Sequence, residues 1–201
     1  MTVYVESNFV LEEALQQEQS ESCVQLIALA RERRIQLVVP AFSLAEPHET
    51  IARKGHERSR LSNDLRIQLN DLGRSKSHQE VPATFTVLAD VLTESAQVAL
   101  AGLRRTVSEL LSTAEVISLD AGVLTAAAEL ALTHDLSGPD SIVLASVLSH
   151  LKRDAPQDSC FLNRNSRDFD NPSVLDSLAD FGCKYFARFD HGLSYVNSNM
   201  G

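Results

Sequence analysis

No stretch of the 201 residues approaches 18 uncharged apolar positions, so no segment is expected to span a membrane. Cysteine is scarce. Cys23, Cys160 and Cys183 lie far apart, form no CxxC pair and join no Cys/His cluster with zinc spacing, so they read as reduced core thiols of a cytoplasmic protein. The six histidines show no zinc spacing either. Positive charge is also short: 18 Lys plus Arg face 27 Asp plus Glu, a formal net of -9. Proteins that hold nucleic acid mainly by neutralising phosphates usually carry a basic excess, so bulk composition speaks against such a partner. The opening MTVYVESNFVLEE has an acid within six residues and no basic segment ahead of an apolar run, unlike a signal peptide.

What is present suffices for one core. Hydrophobic residues make up 44% and charged residues 22%, which excludes a disordered chain and leaves little room for two domains. Thr2 to Val5 is short and β-branched, a buried strand ending in the polar tip Glu6-Ser7-Asn8. From Glu21 to Arg33, Cys23, Leu26, Ile27 and Ala30 recur at i, i+3, i+4 and i+7, which marks an amphipathic helix. Ile35 to Val39 reads as a strand stopped by Pro40, and Ser43 to Arg53 as a helix. This alternation builds a parallel sheet with crossover helices.

The middle breaks the rhythm. Residues 55–115 contain two helical stretches, one striped by Leu61, Leu65, Leu69 and Leu72, the other by Val87, Val91, Ala99, Leu103 and Leu110. Gly73 to Pro82 between them is polar and turn-rich, so the region reads as a helical hairpin inserted into the α/β domain. Alternation then returns: strand Val116 to Leu119, helices Ala121 to Thr133 and Pro139 to Leu151, strand Asp158 to Leu162, polar loop Asn163 to Asp170, helix Pro172 to Phe181 capped by Gly182, and strand Lys184 to Phe186. The expectation is one three-layer α/β/α domain over 1–190 with a mostly parallel central sheet, and a flexible tail over 191–201 that frays from about Ser194.

In an open parallel sheet, ligands sit beyond the carboxyl ends of the strands. Four acids fall at such positions: Glu6 after the first strand, Glu46 near the start of the helix after the second, Asp140 beside Pro139, and Asp168 in the loop after Asp158 to Leu162. Carboxylates gathered together stay ionised only beside something positive, and hard divalent cations such as Mg²⁺ and Mn²⁺ prefer oxygen ligands. Taken singly, Asp140 and Glu46 also fit helix-dipole roles and Asp168 fits turn chemistry. Glu6 is harder to place that way, because a carboxylate at the end of a buried strand is costly without a partner.

Val3-Tyr4-Val5-Glu6-Ser7-Asn8-Phe9-Val10-Leu11 resembles the first motif of PIN-domain nucleases, among them the VapC-like toxin ribonucleases. Leu44-Ala45-Glu46 resembles the second, Pro139-Asp140-Ser141-Ile142-Val143-Leu144-Ala145 the third, and Phe161-Leu162-Asn163-Arg164-Asn165-Ser166-Arg167-Asp168-Phe169 the fourth. The motifs stand in family order over residues 1 to about 54 and 115 to about 186. Two features depart from the pattern: Glu6 stands where Asp is usual, and the helical middle is longer than in compact members.

The resemblance implies a PIN-like fold and a Mg²⁺- or Mn²⁺-dependent endoribonuclease acting on single-stranded RNA. Glu6, Glu46, Asp140 and Asp168 are the implied metal ligands, with Ser7, Asn8, Asn163 and Asn165 supporting them; at the fourth position Asp168 is favoured over Asn165 because it keeps the charge. Arg53, Lys54, Arg164 and Arg167 are the cations expected to hold RNA. An antitoxin protein and a second copy of the chain are the implied partners, with no membrane. Two readings compete: a degenerate PIN-like module that binds RNA or protein without cleavage, and a metal-dependent phosphatase or DNA nuclease on a similar sheet.

Overall fold

The computed structural model describes residues 1–78, 81–165 and 169–200. Five strands, β1 (Thr2–Val5), β2 (Gln36–Pro40), β3 (Glu115–Ile117), β4 (Ser159–Leu162) and β5 (Cys183–Phe186), form one sheet of order β3-β2-β1-β4-β5. Every pairing is parallel, and Val3 faces Leu37 on one side and Cys160 on the other. β1 and β4 are buried along their whole length, which explains why they read as unbroken apolar runs.

Side chains alternate across the sheet and divide the core in two. Val3, Val5, Leu37, Val39, Cys160 and Leu162 face a layer built from α1 (Ser7–Ala14), α2 (Ser20–Arg31), part of α4 (Val81–Thr113) and α8 (Phe189–Asn199). Tyr4, Val38 and Phe161 face α6 (Gly138–Asp154) and α7 (Pro172–Ala179). The result is the expected α/β/α sandwich. α5 (Ala121–Thr133) packs on α6 through Val123, Ala127 and Ala145.

The structure extends two expectations and corrects one. The polar tip after β1 opens a helix at once: Glu6 caps α1, whose Phe9 and Val10 are fully buried. The hairpin is longer than the stretch 55–115 and shares the core of the α/β domain. Its first helix is continuous with the site helix as α3 (Ala41–Leu72), and the C-terminal half of α4 puts Ala99, Leu103 and Leu110 into the core, while Val87 and Val91 stay exposed. The segment from Ser194, expected to fray, belongs to α8. Phe189 and Val196 are buried there, and Phe189 meets Phe9 edge to face with centroids 5.3 Å apart.

Candidate active site

Because all five strands run the same way, their carboxyl ends share one edge of the sheet, and β1, β2 and β4 deliver polar residues to it. Glu6 leaves β1 with an extended backbone and serves as N-cap of α1, its carboxylate accepting from the Asn8 backbone N–H at 2.9 Å. The side chain is only 5% exposed. Burial raises its pKa from the ordinary carboxylate range to about 8; the Asn8 bond opposes the rise, and the negative charges of Glu46 and Asp140 add to it. That coupling ties Glu6 electrostatically to two acids from other elements.

Glu46 sits in the second turn of α3, directly after β2, and its Oε2 accepts from Ser7 Oγ. Asp140 occupies the first turn of α6, where Ser137 is the N-cap. Ser137 Oγ donates to Asp140 Oδ2 at 2.5 Å and accepts from the Asp140 backbone N–H at 3.3 Å, a reciprocal cap that fixes the carboxylate rotamer. Pro139 fits there because the first turn needs no N–H.

Two asparagines link these acids. Asn163, the first residue after β4, is fully buried, and its Oδ1 accepts from Asn8 Nδ2 at 3.4 Å and from the Asn165 N–H at 2.6 Å. Asn165 Nδ2 in turn donates to Asp140 Oδ1 at 3.4 Å. One polar network thus runs from Asn8 on α1, through the loop after β4, to Asp140 on α6. The Nδ2 of Asn163 is buried and has no acceptor among the described residues, which suits a site that takes up water or an anionic oxygen. Tyr185 of β5 donates its hydroxyl to Asn163 O at 3.0 Å; burial foremost, and then the charges of Asp170 and Glu6, push its pKa up, so it stays protonated. Sequence reasoning missed Tyr185 and Ser137. Tyr185 has no motif to mark it, whereas Ser137, three residues ahead of Asp140, carries a capping signal.

The proposed RNA-holding cations fare unevenly. Arg164 is committed to an ion pair with Glu12, a carboxylate only 1% exposed that also accepts from the Gln19 N–H at 2.6 Å. Its charge therefore offsets a buried acid. Arg53 is exposed and pairs with Glu57 at 3.2 Å one helical turn on. Lys54 is half-buried and, with Arg58 and Arg105, lines a cleft of about 680 Å³ between the end of α1 and the α3–α4 hairpin. Eight residues along α3 separate Lys54 from Glu46, a rise of about 12 Å. Arg167 and Asp168 lie outside the described residues.

Glu6, Glu46 and Asp140 offer only oxygen donors from three elements, a donor chemistry that suits a hard divalent cation. The three cysteines are buried and free, and burial pushes the Cys183 thiol up to about 11, which rules against a thiolate nucleophile. Among the described residues no helix is long and apolar enough to cross a membrane. In comparisons with known proteins, residues 3–169 match the family model of the PIN domain. A search of curated proteins found no match.

Proposed function

The chain belongs to the PIN-domain family of nuclease-type hydrolases, and from that premise we propose that it is a metal-dependent endoribonuclease that cuts single-stranded RNA with an activated water. The observation that carries the proposal is the buried Glu6 beside Glu46 and Asp140 at the carboxyl edge of the sheet, with Ser7 bonded to Glu46 and the asparagine chain reaching Asp140. A divalent cation bound there would lower the pKa of a water toward neutrality and stabilise charge on the scissile phosphate. Glu6, Glu46 and Asp140 would hold it, with Asp168 completing the donor set.

The chain's own residues supply the positioning. Ser7 fixes Glu46, Ser137 fixes Asp140, and the Asn8–Asn163–Asn165 chain ties α1, which Glu6 caps, to Asp140 on α6. Pre-set rotamers matter because a ligand displaced by 1 Å costs about 100-fold in rate. In this reading Lys54 and Arg53, beyond Glu46 on α3, would hold the RNA backbone, Arg53 by exchanging its exposed Glu57 partner, whereas Arg164 is occupied by the buried Glu12. A DNA nuclease uses the same groups; RNA is preferred here because the net charge of -9 disfavours long contacts to a duplex and favours a short, single-stranded substrate. The reading includes a toxin's role in the cytoplasm, restrained by an antitoxin protein, with the buried reduced thiols in keeping with that compartment.

The test uses labelled single-stranded RNA with Mn²⁺, with EDTA, and with the Asp140→Asn variant. The expected result is cleavage with Mn²⁺, none with EDTA, and at least about a 100-fold loss in Asp140→Asn. Cleavage that survives both EDTA and the substitution overturns the mechanism, and preferential cutting of DNA overturns the substrate. RNA retained without cleavage under any divalent metal supports the degenerate binding module instead. For the toxin role, induced expression should arrest growth in the wild type and not in Asp140→Asn.

A further inference from the structure

The last turn of α6 carries a second group of metal-competent side chains, far from the acidic cleft around Glu6, Glu46 and Asp140. Asp154 follows Asp140 by fourteen residues on the same helix, a separation of roughly 21 Å. One turn before it, His150 is 1% exposed and directs Nε2 at two carboxylates, Glu115 Oε1 at 3.1 Å and Asp154 Oδ2 at 3.3 Å. The three donor atoms lie within 4.8 Å of one another. Glu115 opens β3, the short edge strand, so the group joins the sheet margin to the end of α6.

We propose that Glu115, His150 and Asp154 form a zinc-type transition-metal site, separate from the acidic cleft, that fastens β3 to α6. Bonds of 2.0 to 2.1 Å at a tetrahedral ion put neighbouring donors about 3.3 Å apart, and the two His150 separations match that edge. Water takes the fourth position. The second side of the ring is prepared as well: His150 Nδ1 lies 2.8 Å from the hydroxyl of the buried Tyr4, which packs edge to face on the imidazole. In the ligating form the ring proton rests on Nδ1 and is donated to the Tyr4 oxygen, leaving the Nε2 lone pair for the metal, an outer-sphere partner of the kind that orients metal-binding histidines. An imidazole among the donors selects zinc, cobalt or nickel over magnesium, the reverse of the all-carboxylate cleft.

The present cation at this position is Arg153. Its Nε lies 2.6 Å from Asp154 Oδ1 and its Nη2 3.3 Å from Glu115 Oε1, and the side chain is mostly exposed. Arg153 and a metal ion therefore compete for the same carboxylates.

The experiment titrates the full chain with Co²⁺, following its d–d absorption, and with Zn²⁺ by calorimetry in the presence of millimolar Mg²⁺. A Glu6→Gln/Asp140→Asn background disables the cleft. One ion should bind in that background with a four-coordinate cobalt spectrum. Asp154→Asn, at an exposed position that leaves the fold intact, should weaken it about tenfold or more, and Arg153→Ala should tighten it. A raised melting temperature with Zn²⁺, lost in Asp154→Asn, supports the fastening role. No zinc binding in the cleft-disabled protein overturns the proposal, as does a cobalt spectrum that Asp154→Asn and Glu115→Gln leave unchanged.

Discussion

A carboxylate at the end of a buried strand needs a proton, a hydrogen-bond donor or a cation, and Glu6 has the first two within the chain. Its cap on α1 explains how the fold tolerates it in the metal-free protein, and its pKa near 8 says that the proton is retained through neutral pH. The sign of the consequence follows. The folded state keeps a proton that the unfolded chain releases above the ordinary Glu range, so the stabilisation is complete at low pH and is lost as pH rises toward 8. In EDTA, the wild type should lose stability relative to Glu6→Gln between about pH 5 and pH 8. Urea melts at four pH values measure this, and parallel stability profiles would refute it. The motif reading found this acid from sequence; that it is also a cap, and that Arg164 serves Glu12 rather than the solvent, depended on partners brought in by the fold.

At the scale of elements, α4 approaches α1 closely at Gly102. A Cβ on Gly102 would come within 2.1 Å of the Ala14 carbonyl oxygen, a backbone atom with no room to yield. Gly102→Ala should therefore push the helices apart and cost about 1 to 3 kcal/mol despite the better helix propensity of alanine. Thermal unfolding checks this, and an unchanged or raised melting temperature would count against the close approach. Helix periodicity revealed α2 to within a few residues, because its stripe of Cys23, Leu26, Ile27 and Ala30 faces one buried layer. It could not reveal that α3 runs on past Arg53 without a break, since the distal part of that helix leaves Leu61 and Leu72 exposed and its stripe has no single buried face to follow.

For the whole molecule, the distal hairpin exposes Leu61, Ile67, Val87, Val91 and Val98, and the expected second copy would cover apolar surface of this kind. Light scattering at micromolar concentration should give about twice the 22.0 kDa chain mass, and a mass near one chain would refute dimerisation. The amino-acid sequence by itself determined the parallel α/β sandwich, and with it that Glu6 follows β1 and Glu46 follows β2. Alternation of strands and helices is a local pattern, and a parallel sheet turns strand ends into a shared edge. Tertiary structure alone decided which charges are already spent and which are available. Arg164 meets Glu12 across 152 residues and His150 meets Glu115 across 35, and pairs so distant in sequence leave no periodicity to read. It also ordered the end of the chain, since α8 looks polar until Phe189 and Val196 find the sheet. Burial sets the cost of each unpaired charge, and burial belongs to the folded molecule.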